Sequence, residues 1–387
     1  MDLFGEDVAT VNTNDTLDDS GASFEPLEFF NHPRAMNALI GHQETEKQLL
    51  DLFNSSRMHH GIILNGAKGI GKATLAYRFA RFLLKNPPAD PNQNSLLGED
   101  TPTEKQETLE VPIDDPVFRR VASGGHADLL TLERQYDATK NKTAETLAVA
   151  ELRKVEPFLR MTSSNGGWRV VIIDDADTMN RNAQNALLKI LEEPPKNTVI
   201  ILVTHRLGAL IPTIRSRTRL FNLKPLCTDT MGELLSQKGQ SLDSNQAAII
   251  SAMAEGSFGK ANEILEEGGL DSFATITAIL NDRPNIDWRI IHHHADQCAR
   301  AGQEQAYKNF TQTLLWLYKT LAFAKARGQA LTPYSLNEDP LTSILANSSL
   351  AQLLKICENL SSHFDMTNRG NLDKKQAILG AFQIITA

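Results

Sequence analysis

Apolar residues along this chain change their spacing twice, and those changes divide it into parts. Residues 1 to about 30 are acidic and polar with almost no apolar periodicity, which predicts a disordered tail. Between Glu44 and Asn54, Leu49, Leu50 and Phe53 recur at helical spacing. GIILN at 61–65 is a short continuous apolar run. The ATLAYRFARFLL that follows it places Leu75, Phe79, Phe82 and Leu83 on one side of a helix. Asn86 to Pro116 is Pro-rich and polar and predicts a long exposed insertion. Apolar runs return in DLLTLER (128–134), WRVVIIDDAD (168–177) and TVIILVT (198–204). Val170 to Ile173 has no polar interruption, the pattern of a parallel strand buried on both faces. Helices are expected over Val149–Leu159 and Arg181–Leu191, the second stopped by Pro194-Pro195. Strands alternating with helices from Gly61 to Phe221 predict a parallel α/β sheet with helices on both faces. Past Leu226 the strand signals vanish. Helical patterning runs through 228–268 and again from about Asp271 to the end, with a boundary near Asn281–Asp287.

The chain has 387 residues, more than one ordinary core, so two or three domains are expected. With 41% hydrophobic and 22% charged residues it reads as soluble. No apolar run approaches the roughly 18 residues that span a bilayer. The acidic N-terminus, with no Lys or Arg before Arg34, does not read as a targeting signal, and a cytoplasmic location is expected. Cys227, Cys298 and Cys357 are odd in number and far apart, which fits reduced thiols. At a net charge of −8 the whole molecule is no electrostatic match for nucleic acid, so DNA contact would need a local basic face or partner subunits.

The chemistry concentrates in three places. Residues 66–73, GAKGIGKA, fit the phosphate-loop pattern G-x-x-x-x-G-K-[ST] except at the last position. Gly66, Gly69, Gly71 and Lys72 are present, but Ala73 replaces the hydroxyl that would hold Mg²⁺. Thr74 does not restore it, because one residue along a helix turns the side chain by roughly 100°. Asp174 and Asp175 end a strand at the edge of the sheet where α/β folds place ligands. The second acidic residue would orient an attacking water, and Asp175 is one methylene shorter than the Glu usual there. TIRSRTRLF at 213–221 alternates Arg215, Arg217 and Arg219, which share a face if extended and separate if the chain bends at Ser216. An arginine there can serve as a finger offered to the γ-phosphate of a nucleotide, since its fork matches phosphate oxygens.

In the order GAKGIGKA, WRVVIIDDAD, NALLKILEEPP, ILVTH and TIRSRTRLF, the chain resembles the bacterial clamp-loader family of AAA+ proteins, most closely its delta-prime branch from DNA polymerase III. The resemblance runs from about Pro33 to Leu226. It implies an AAA+ nucleotide fold at 31–225 with the insertion 86–116, a helical lid at 226–283 and a helical collar at 284–387. It further implies that Arg217, within Ser216-Arg217-Thr218, is a finger reaching a neighbouring ATPase subunit, although Thr218 stands where the family has Cys. Thr204 and His205 fall at the sensor 1 position near the γ-phosphate. GSFGKA at 256–261 resembles sensor 2, but Gly259 stands where its Arg belongs, with Lys260 adjacent.

Ala73, Asp175 and Gly259 all depart from the catalytic pattern, so the expectation is a non-hydrolysing subunit, with weak ATP or ADP binding left open. The implied partners are gamma/tau-type ATPase subunits and a delta subunit, and, through the complex, the sliding clamp and primed DNA, with no membrane. Membership would place the chain in a DNA-directed DNA polymerase holoenzyme, without a nucleotidyl-transfer site of its own. The rivals are an active ATPase subunit, which would want Ser or Thr at 73, Glu at 175 and Arg at 259, and a scaffold outside replication, which has no use for a placed guanidinium. Many relatives carry a four-cysteine zinc module after the loop helix; Asn86–His126 has no cysteine, so no zinc is expected. His292, His293 and His294 diverge on a helix and cannot converge on one ion. Arg181 and Lys189 read as a solvated helix face rather than as DNA contacts.

Overall fold

Four short apolar runs and the segment Arg219–Asn222 become one parallel sheet. In the computed structural model the described residues are 32–55, 57–88, 105–137, 142–163, 166–282, 285–300, 302–329, 340–370 and 372–386. The strands are β1 (Gly61–Asn65), β2 (Leu129–Leu132), β3 (Arg169–Ile173), β4 (Thr198–Thr204) and β5 (Arg219–Asn222), in the order β2-β3-β4-β1-β5. Every neighbouring pair is parallel, with Ile173 opposite Leu132 and Leu202, and Asn65 opposite Thr204 and Asn222. All the strands therefore end along one edge, where Asn65, Asp174 and His205 leave the sheet.

Alternation along the strands splits the core into two layers. Ile62, Leu64, Val170, Ile172, Val199 and Ile201 pack against helices α1 (Gln43–Asn54) and α2 (Lys72–Lys85) through Leu49, Leu75, Phe79 and Phe82. Ile63, Val171, Ile173, Ile200 and Leu202 face the other way, onto Leu152, Leu159, Leu187, Ile190 and Ile214. Both faces being covered is what uninterrupted apolar strands require.

The remaining helices of this part are α3 (Pro116–Ser123), α4 (Val149–Leu152), α5 (Val155–Arg160), α6 (Arg181–Glu192) and α7 (Pro212–Ser216). The helix expected over Val149–Leu159 is thus two. Pro157 has no N–H and would clash with the carbonyl four residues back, so the helix restarts with the proline in its first turn. The insertion is also less exposed than its composition suggests. In its described part Leu109 and Val111 are buried, and Asn54 and Gln106 exchange hydrogen bonds of 2.8 and 3.0 Å. A short antiparallel pair, Tyr136–Asp137 with Lys142–Thr143, has no counterpart in the sequence reading.

Beyond β5 the described residues are helical: α8 (Thr228–Gln237), α9 (Ser244–Met253), α10 (Phe258–Glu266), α11 (Gly269–Asn281), α12 (Trp288–Cys298), α13 (Glu304–Arg327), α14 (Pro340–Asn347), α15 (Leu350–Gly370) and α16 (Lys374–Thr386). Leu226, Met231, Leu235, Ile250 and Ala261 form a small core of their own. Phe273, Ile276 and Ile279 of α11 share the larger C-terminal core with Phe310, Leu314, Tyr318 and Phe382. The tail 1–30, residues 89–104 and Pro284 at the expected boundary lie outside the described residues. Among the described residues no helix is long and apolar enough to cross a membrane.

Candidate functional site

β1 leads through the glycine loop into α2, the strand–loop–helix context a phosphate loop needs. Gly69 and Gly71 have φ of 76° and 101°, backbone conformations that an L side chain resists. The loop carbonyls are held from several directions. Lys72 turns back and donates from Nζ to Ala67 O at 2.6 Å. Ser257 Oγ donates to Lys68 O at 2.7 Å, and the Gly259 N–H to Gly69 O at 2.9 Å. His42 Nε2 donates to Ile70 O at 2.6 Å. Burial holds the His42 imidazole below its ordinary pKa, consistent with a neutral ring whose Nε2–H serves that carbonyl. Four consecutive carbonyls are thus engaged by the loop's own lysine, the region before α1, and the start of α10.

The contact with α10 is a meeting of two bare backbones. A Cβ on Gly259 would lie 3.0 Å from Gly69 Cα, and one on Gly69 would lie 2.5 Å from Ser257 Oγ and 3.1 Å from Gly259 Cα. The position at which a sensor 2 arginine was sought is therefore filled by the loop itself.

The acidic edge is equally occupied. Arg134, just past β2, donates from Nε and Nη2 to Asp175 Oδ2 at 2.9 and 2.5 Å. Asp175 sits at φ 49°, in the left-handed region that Asp tolerates better than most residues. Asp177, whose side chain is fully buried, accepts from Thr204 Oγ1 at 3.1 Å, the His205 N–H at 3.3 Å and Arg206 Nε at 3.0 Å. His205 lies between the carboxylates, Nε2 3.2 Å from Asp177 and Nδ1 3.8 Å from Asp175. Burial pushes the Asp177 carboxyl up. Arg206, His205 and Thr204 outweigh it and hold the group below its ordinary range. Lys72, almost fully buried, is held below the usual lysine value by desolvation despite the facing carboxylates.

Asp174 behaves in the opposite way. Burial, and then the charge of Asp175, raise it from an ordinary 3.8 to about 6. A raised acid favours the folded state while protonated, so its contribution is complete below the ordinary value and lost as pH rises through about 6. Asp174→Asn keeps an oxygen to accept from the Asp175 N–H, a bond of 2.9 Å in the native protein. The variant should melt at a higher temperature at pH 8, by about 2 kcal/mol of stability, and be nearly neutral at pH 4. Equal effects at both pH values would refute the assignment.

The donors of Asp175, Asp177 and His205 lie within 4.8 Å of one another, close enough to hold a cation. Arg134 and Arg206 already balance both carboxylates, so a divalent ion would have to displace two guanidinium groups. Of the groups that nucleotide hydrolysis would use here, Ala73 offers no oxygen and Asp175 is engaged by Arg134.

At the other end of the sheet's sequence, the chain bends after α7, and the three arginines do not share a face. Arg215 is on the helix, Arg217 follows its last residue at φ −102° and ψ 3°, and Arg219 opens β5. Thr218 Oγ1 fastens the turn by donating to Ile214 O at 2.9 Å. Arg217 remains exposed. Its Nη2 is 3.0 Å from Glu192 Oε1, and its Nη1 donates to Thr213 O at 3.2 Å.

A family model described as DNA polymerase III, delta subunit, matches residues 41–227, a span that holds the glycine loop, the acidic edge and Arg217. The delta-prime subunit of Pseudomonas aeruginosa is 34% identical over 158 residues, 41% of this chain and 41% of that protein. The delta-prime subunit of Escherichia coli is 28% identical over 246 residues, 62% of this chain and 65% of that protein. Over this span the chain is similar to delta-type subunits of DNA polymerase III. The gamma subunit of Buchnera aphidicola (Schizaphis graminum) is also similar, 27% identical over 60% of this chain and 58% of that protein. The chain spans about half the length of these curated relatives. Among solved structures, a gamma-subunit-related protein of Thermotoga maritima is 17% identical, covering 88% of this chain and 98% of that one, with a TM-score of 0.33.

The structure brings Gly66, Gly69, Gly71, Lys72, Asp174, Asp175, Thr204 and His205 to one edge, and leaves Arg217 outside it. Sequence reasoning missed Arg134, Asp177, Arg206, Ser257 and His42. Only Asp177 carried a usable signal, being the third carboxylate of the run Asp174-Asp175-Ala176-Asp177.

Proposed function

We propose that this chain is a non-hydrolysing subunit of a replicative clamp loader, donating Arg217 in trans to the ATP site of a neighbouring gamma/tau-type subunit. The complex would then load a sliding clamp onto primed DNA. The match to the delta-subunit family model supports the setting. The observation that carries the silent role is Arg134 on Asp175: the carboxylate that would orient an attacking water holds two N–H donors of a fixed cation instead. With no hydroxyl at 73 and no arginine at 259, none of the three groups that hydrolysis asks of this site is available. What the chain still presents to a neighbour is an exposed, positioned guanidinium, and such a group matches phosphate oxygens.

The test is steady-state ATP hydrolysis with primed DNA and sliding clamp, by the chain alone and by the reconstituted loader. Silence alone and activity in the assembly are expected. Robust hydrolysis by the isolated chain would overturn the reading and make it an ATPase in its own right.

A further inference from the structure

We infer that Glu192 is a positioning residue for the Arg217 guanidinium, an inference that rests on the finger reading above. Arg217 follows a helix of only five residues, so its own element restrains it weakly. The guanidinium is nevertheless held at two ends. Thr213 O, and Ser216 Oγ at 3.4 Å, take Nη1 from within α7, while Glu192 Oε1 takes Nη2 from a different element. Glu192 is the last residue of α6, a helix anchored in the core by Leu187, Ile190 and Leu191 and stopped ahead of Pro194-Pro195. The carboxylate therefore reports the position of the sheet layer to the finger. Among the described contacts the Nε–H is uncommitted, leaving donors for a phosphate.

Stability does not account for the pair. The two side chains are 38% and 49% exposed, and ion pairs so open to water add little to folding. Orientation is a different matter, since a displacement of about 1 Å in a catalytic group can cost about 100-fold in rate. Glu192 also lines a groove of about 620 Å³ with Glu156, Arg160, Lys189 and Glu193, so the finger stands beside a concave, mixed-charge surface rather than on a bare knob.

The experiment is a double-mutant cycle in the reconstituted loader, with Glu192→Ala, Glu192→Gln, Arg217→Ala and the double variant, reading kcat and KM for ATP under DNA-triggered hydrolysis. Glu192→Ala should lower kcat about tenfold with KM unchanged, and Glu192→Gln, which still offers an oxygen, should recover most of it. In the Arg217→Ala background, Glu192→Ala should add nothing, because a brace has no effect once its load is gone. Loss that persists in that background, or no loss in the single variant, would overturn the positioning role. Unchanged hydrolysis in Arg217→Ala would instead remove the finger reading on which it rests. Thermal melting and co-elution of each variant separate these outcomes from misfolding or failed assembly.

Discussion

Arg217→Ala should slow DNA-triggered hydrolysis at the neighbouring ATP site about 10³-fold, the low end of what arginine fingers contribute, while leaving the assembly intact. The effect is large because charge develops on the transferred phosphoryl group only in the transition state, so the loss falls on kcat. Assembly should survive because Arg217 is exposed and its ion pair with Glu192 is a surface one. Arg217→Lys should sit between the two, since lysine keeps the charge and loses the planar fork. Single-turnover hydrolysis with primed DNA and clamp decides it. An unchanged rate for Arg217→Ala would end the trans role.

The second large effect concerns folding. Asp177→Ala should destabilise the chain by about 2–4 kcal/mol, read as a drop in melting temperature. It removes the shared acceptor of Thr204, the His205 N–H and Arg206, and Thr204 has no water to turn to. Arg206 is 64% exposed and can resolvate, which keeps the cost below that of stranding a buried charge. The pH dependence follows from the lowered carboxyl. A depressed acid contributes stability that is present above its ordinary value and lost as pH falls through the folded one, so the window lies below about pH 4. The native chain should therefore lose more stability than the variant between pH 5 and the acid limit. Parallel acid curves would show that Asp177 is not what titrates.

The sheet was legible in the sequence because burial on both faces writes itself as an uninterrupted apolar run, and β3 and β4 lie where Val170–Ile173 and Thr198–Thr204 place them. The glycine loop was legible because phosphate chemistry demands glycines and a lysine at fixed spacing. The closure of that loop was not. Arg134 reaches Asp175 across 41 residues and Ser257 reaches Lys68 across 189, and nothing in the local sequence of either partner announces the other. Composition also misled where a few apolar residues are scattered among polar ones: Leu109 and Val111 are core residues in a segment whose prolines and charges speak for solvent. The arginine cluster shows the converse. Alternation left two arrangements open, and the proline that begins α7 together with the Thr218 cap selects the bent one.

The glycine-to-glycine contact between the loop and α10 bears on which side chains position 259 can carry. An arginine placed at 259 would bring a Cβ 3.0 Å from the Gly69 backbone, which cannot step aside as a flexible side chain can. The two segments would have to give by a few tenths of an ångström, against the Gly259 N–H to Gly69 O and Ser257 Oγ to Lys68 O bonds that hold them together. Glycine at 259 is thus demanded by packing against the loop, so that position answers to the shape of its neighbour before it answers to any chemistry.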